Sequence, residues 1–134
     1  MYDVIIVGAG PAGASAALIT AKAGKKTLVV DNDKGVTKRA WIENHYGVEK
    51  ISGPDLVEIG KKQAKNFGAE IVDGEVTDLK KGDGSITVET ENGSYEGKHV
   101  ILATGMSTAL GEKAGVNTTA GTEPRVKSIY AVDK

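Results

Sequence analysis

The chain has 134 residues, a formal net charge of −1, 26% charged residues, 18 glycines and no cysteine. Its length points to one domain spanning residues 1–134, able to bury roughly two-thirds of its unfolded surface. Balanced charge favours neither nucleic acid nor an anionic membrane as a partner, and the absence of cysteine excludes disulfides, thiolate metal sites and a redox dithiol. The apolar runs are strand-length and too short to span a bilayer. The first of them, Val4 to Val7, lacks a basic flank and runs straight into a glycine motif, which argues against a signal peptide. A cytoplasmic location is the expectation.

Tyr2-Asp3-Val4-Ile5-Ile6-Val7 reads as a strand, and Gly8-Ala9-Gly10-Pro11-Ala12-Gly13 follows it at once. In this pattern Gly8 makes the tight turn, Gly10 lets the backbone approach a pyrophosphate, and Gly13 lets a new helix pack against the strand. The helix is predicted from Ala14 to Ala23, rich in small residues, with Gly24 at its carboxyl cap. Its opening N–H groups and positive dipole end face the phosphates. A second strand, Thr27-Leu28-Val29-Val30, ends at Asp31, eighteen positions after Gly13. That is close to the offset of about 20 residues at which an acid meets an adenosine ribose hydroxyl. The acid does not distinguish FAD from NAD, since both carry the adenosine half.

Asn32 through Ser52 is a long polar connection containing the only tryptophan, Trp41. Ser52-Gly53-Pro54-Asp55 reads as a helix start with Pro54 at the first helical position. Leu56, Ile59, Gln63 and Phe67 form the expected apolar stripe, with Lys61, Lys62 and Lys65 facing water. Gly68 ends the helix, and Ala69-Glu70-Ile71-Val72 begins a strand, the logic of a parallel βαβ unit. The period then becomes two. Glu75–Leu79, Ser85–Thr90 and Ser94–Gly97, separated by Asp83-Gly84 and Asn92-Gly93, predict an antiparallel meander. His99–Ala103 reads as a separate buried parallel strand stopping at Thr104-Gly105, and Met106 to Ser128 shows no apolar period. His45 and His99 lack further ligands at metal-site spacing, so no metal centre is expected.

The glycine-rich turn, the acid after the second strand, the meander and Ala103-Thr104-Gly105 together resemble the FAD-binding domain of thioredoxin-reductase-like flavoproteins. Ile42-Glu43-Asn44-His45-Tyr46-Gly47 resembles that group's Val-Glu-Asn-x-Pro-Gly, with tyrosine where proline is usual, and Ser52–Leu56 resembles its Gly-x-x-Leu helix start. The implied fold is α/β: a Rossmann-like FAD/NAD(P)-binding domain with a central parallel sheet, helices and an antiparallel meander. The resemblance implies that Gly8, Gly10, Pro11, Ala12 and Gly13 hold the pyrophosphate and Asp31 the ribose. It implies that Asn32 and Lys34 lie near the adenine end and that Val76 meets the adenine through its backbone. Asn44 would hydrogen-bond the isoalloxazine, and Ala103, Thr104 and Gly105 would pass beside the cofactor.

The chain departs from the resembled group in carrying neither an inserted NAD(P)H domain nor a Cys-x-x-Cys, so thioredoxin reduction by these residues is not expected. Ile129–Lys134 reads as the strand before the group's closing Gly-Asp segment, and the expectation is a chain that stops before the flavin-end wall. The implied function is FAD-dependent redox chemistry, with electrons from a diffusing NAD(P)H or a redox partner protein, catalytic residues unassigned, and a homo-oligomer left open. The alternatives are a non-catalytic module holding FAD or NAD by its adenosine half, or a fragment of an oxidoreductase.

Overall fold

The computed structural model describes residues 1–116. In chain order the elements are β1 (Tyr2–Val7), α1 (Pro11–Lys22), β2 (Thr27–Asp31), a 3₁₀ turn (Val36–Arg39), β3 (Trp41–Ile42), β4 (Ile51–Ser52), α2 (Gly53–Asn66), β5 (Glu70–Asp73), β6 (Val76–Lys81), β7 (Ile86–Thr90), β8 (Gly93–Leu102) and α3 (Ala109–Lys113). Six strands form one sheet in the order β5-β2-β1-β8-β7-β6, parallel from β5 to β8 and antiparallel from β8 to β6.

The apolar run of β1 explains why it is central. Both of its faces are covered: Val4 and Ile6 pack with Val29, with Ala17 and Ala21 of α1, and with Ala64 of α2. Ile5, on the opposite face, packs with Leu28, Val30 and Val88, joined by Val76 and Leu79 of the meander. Helices therefore cover one side and the meander the other, which positions the carboxyl ends of β1 and β2 at an open edge.

Several sequence expectations are corrected. The third meander strand and the following parallel strand are one element, β8, whose first half pairs antiparallel with β7 and whose second half pairs parallel with β1. Gly97 stands at the changeover, where a Cβ would meet Ile5 Cγ1 at 2.8 Å. Its parallel half is not fully buried: His99 is exposed and Ile101 is 37% exposed, because the helices lie over β1, β2 and β5 instead. The long connection after Asp31 contains the 3₁₀ turn and the β3–β4 ribbon, which pairs Trp41 with Ser52.

In α2 the first helical residue is Gly53, with Ser52 as the cap accepting from the Asp55 amide. The buried face is Gly53, Val57 and Ala64 rather than the bulky stripe, and Ile59 and Phe67 stay about half exposed. The physical reason is proximity to α1. A Cβ on Gly60 would lie 3.3 Å from the Ala14 Cβ, so only small residues fit at the contact.

At the opposite edge from the strand carboxyl ends, the Tyr2 hydroxyl donates to Glu70 Oε2 at 2.6 Å, and its ring meets Tyr95 edge-on at 6.4 Å. The hydrogen bond to Glu70, then burial and the neighbouring negative charge, push the Tyr2 phenol up to about 12 from its ordinary 10.0. A raised folded-state value means that this contribution is complete below pH 10 and is lost as pH rises through 12. A phenolate absorbance titration should therefore show one tyrosine ionising near 12, and Tyr2→Phe should remove that step and flatten the alkaline loss of stability. An unchanged titration in the variant would refute the assignment.

Candidate functional site

A cleft of about 780 Å³ opens where β1, β2 and β8 end. The connection from β1 runs through α1 to β2 on one side, while that from β8 runs to α3 over β6 on the other, and ligands of open α/β sheets bind outside the strand carboxyl ends at such a reversal. Three backbone hydrogen bonds lock its floor: the Gly8 amide to the Val30 carbonyl, the Ala103 amide to Val7, and the Gly74 amide to Asp31, each 2.9 Å.

The three glycines of the turn have different causes. Gly8 has φ +107°, and a Cβ there would sit 2.2 Å from the Ala103 carbonyl oxygen. At Gly13 a Cβ would fall 1.8 Å from the Gly8 carbonyl oxygen. Both positions are explained by the fold itself. Gly10 is not: its backbone is extended, at φ −71° and ψ −170°, and a Cβ would meet nothing within 4 Å. Any residue could adopt that conformation, and Gly10 borders open space on the cleft and on a smaller groove between α1 and α2. Gly10 also caps α1 without a side-chain bond, and the first turn carries no acid, so the positive helix end faces the cleft uncompensated.

Asp31 ends β2 at the cleft wall and is buried. Its Oδ1 accepts from the Asp33 amide at 2.9 Å, and its Oδ2 from Lys61 Nζ at 2.5 Å. Asp33 takes a left-handed φ of 61°, and its carboxylate pairs with Lys38. That hydrogen bond and charge hold the Asp33 carboxyl below the usual carboxylate range. Lys61, expected in water, is instead the cation bonded to Asp31 among the described residues.

Of the residues singled out in the sequence, Gly8, Gly10, Pro11 and Ala12 line the cleft from one side, and Asp31, Asn32 and Lys34 from another. Val76 with Ala103, Thr104 and Gly105 completes the same wall. Gly13 is buried behind the turn. Asn44 is exposed in the β3–β4 loop and is not brought to this cleft; its neighbour His45 borders a smaller groove of about 110 Å³ between α1 and α2.

Sequence reasoning missed the contributions of Glu75 and α3. Glu75 stands between Gly74 and Val76 at the turn into the meander, and its occluded Oε2 makes no hydrogen bond, the Lys34 ammonium lying 3.8 Å away. The segment after Gly105, read as aperiodic, forms α3, whose Leu110 and Lys113 border the cleft. Lys113 Nζ donates to the Thr77 carbonyl at 3.0 Å, tying α3 to β6. Thr108, before that helix, could have been read as its start. The rest of the stretch expected to be irregular, and the terminal strand expected at 129–134, lie outside the described residues.

A Rossmann-like parallel sheet, a glycine turn feeding a helix, and a buried acid at the end of the second strand define a dinucleotide-binding α/β protein. The chain matches the pyridine nucleotide-disulphide oxidoreductase family over residues 2–132, and it belongs to that family. It is 47% identical over 113 residues to a thioredoxin reductase of Aquifex aeolicus, covering 78% of this chain and 34% of that protein. Among solved structures, an atypical thioredoxin reductase from Desulfovibrio vulgaris Hildenborough superposes with a TM-score of 0.75 at 42% identity, over 80% of this chain and 37% of that one. Lactococcus lactis thioredoxin reductase gives 0.74 at 32% identity, over 93% and 39%. The chain thus spans about a third of the length of these relatives. Among the described residues no helix is long and apolar enough to cross a membrane.

Proposed function

We propose that residues 1–134 form one Rossmann-like unit that binds FAD in a flavin-dependent oxidoreductase of the thioredoxin-reductase type. Family membership implies a flavin cofactor. The observation that carries the reading is Gly10: nothing in the fold requires glycine there, and it borders the cleft with open space at its Cβ position, at the positive end of α1. The pyrophosphate would lie against Gly10, Pro11 and Ala12, and the adenosine ribose would donate to Asp31. Asn32, Lys34 and Val76 would surround the adenine, with Ala103, Thr104 and Gly105 beside the rest of the cofactor. Flavin bound there would supply hydride or electron transfer, while the chain supplies placement and electrostatics. The donor would be NAD(P)H or a redox partner protein. These 134 residues hold no cysteine, so dithiol chemistry does not reside in them.

A second reading, a module gripping only the adenosine half, is favoured by the exposure of Asn44 away from the cleft. Absorption of the purified chain, before and after FAD loading and desalting, separates the two. A retained flavin band reducible by NADH or NADPH supports the oxidoreductase unit. A colourless protein that binds ADP as tightly as FAD supports the module, and one that binds neither rejects both.

Replacing Asp31 by alanine should weaken ADP binding by about 1.5–3 kcal/mol, the range for a hydrogen bond to a charged group. Calorimetry with ADP measures it, and unchanged affinity would remove Asp31 from the site.

A further inference from the structure

We propose that Lys61 is a positioning residue of the adenosine-ribose subsite, fixing the Asp31 carboxylate in the orientation that accepts the ribose hydroxyls. The proposal rests on the dinucleotide reading above and adds to it a residue that the glycine motif does not contain.

Lys61 Nζ lies 2.5 Å from Asp31 Oδ2, and the two side chains are only 15% and 9% exposed. Its helix neighbours Lys62 and Lys65 are exposed, so the three lysines of α2 are not equivalent. Lys61 is not a wall residue of the cleft, and it grips the carboxylate from the α2 side. The small contact at Gly60 and Ala14 brings α2 close enough to α1 for the lysine to reach.

With the Asp33 amide on Oδ1 and the ammonium on Oδ2, rotation of the carboxylate is pinned at both oxygens. Each oxygen keeps a lone pair for a ligand hydroxyl. The cation also offsets a crowded negative neighbourhood. Asp73 of β5 is the register partner of Asp31, Glu58 Oε1 lies 3.7 Å from the Lys61 ammonium, and Asp33 stands two residues away with Lys38 on it. Lys34 and Glu75 face the same cleft. A diphosphate ligand would add further negative charge at the neighbouring helix end. Burial works against the charged lysine, but the hydrogen bond and charge of Asp31, with Glu58 and Asp33, prevail and raise its proton affinity.

The test compares ADP with 2′,3′-dideoxy-ADP by calorimetry on the full chain freed of flavin. The parent should prefer ADP by about tenfold or more, the worth of a hydroxyl bonded to a carboxylate. Lys61→Met should reduce that preference to about twofold or less, and Lys61→Arg should restore most of it, since guanidinium also pairs with carboxylate. A purely structural lysine would lower stability, or both affinities equally, without moving the ratio. Parental preference surviving in Lys61→Met therefore overturns the proposal. Lys61→Gln gives the same readout should the methionine variant fail to fold. Asp31→Asn should abolish the preference. A parent with no preference, or an Asp31→Asn variant that keeps it, sinks the ribose role of Asp31 and the Lys61 proposal with it. Loss confined to Asp31→Asn sinks Lys61 alone.

Discussion

Gly10→Val should weaken ADP and FAD binding by at least about a hundredfold, or about 2.7 kcal/mol, while the chain remains folded. The branched side chain would project into the space beside the first turn of α1, where a pyrophosphate would need the backbone at contact distance. Valine tolerates the extended backbone at this position, φ −71° and ψ −170°. The remaining structural cost is the poorer helix cap, about 1 kcal/mol, which corresponds to a melting shift of about 4 °C. Calorimetric titration with ADP, alongside a thermal melt, reads both quantities. Parental affinity in a folded Gly10→Val protein would show that the cleft is not the pyrophosphate site.

What could be read in the sequence is what local chemistry controls alone. Val4–Val7 has to be a strand covered on both faces, and the glycine turn has to pass directly into a helix, because each follows from residues within a few positions. Asp31 was found by its offset from that turn. What was missed depends on partners distant in the chain. The single strand β8 looked like two, since its first half obeys the alternation of a meander and its second half the apolar run of a parallel sheet; only the pairing with both β7 and β1 joins them. The buried face of α2 differs from the one its sequence predicts because bulky residues dominate an amphipathic count. The contact with α1 selects Gly60 and Ala64 by size and leaves Ile59 outside. That rotation of α2 turns Lys61 inward, so the ion pair with Asp31, 30 positions away in sequence, carries no local signal. Only family resemblance bears on Asn44, because its short β3–β4 ribbon has no sequence period by which to orient it.

Gly13→Ala should have the complementary effect, lowering stability by about 3 kcal/mol and the melting temperature by about 10 °C. Alanine is the better helix former by about 1 kcal/mol, so propensity alone predicts a gain at this α1 position. The geometry decides otherwise. The new Cβ would lie 1.8 Å from the Gly8 carbonyl oxygen and 2.8 Å from its carbon, and neither atom belongs to a side chain that could swing away. Relief requires α1 to lift from the end of β1, loosening Ala14, Ala17 and Ala21 against the sheet. The Gly8 backbone cannot yield in the other direction, because its amide is bonded to the Val30 carbonyl and Ala103 lies against its α-carbon. A thermal or urea melt checks the prediction, with Gly10→Ala as the control, since its Cβ would enter open space. Equal melting temperatures for the two variants would mean that the strand–helix turn can relax, and that Gly13, like Gly10, is required for the ligand rather than for packing.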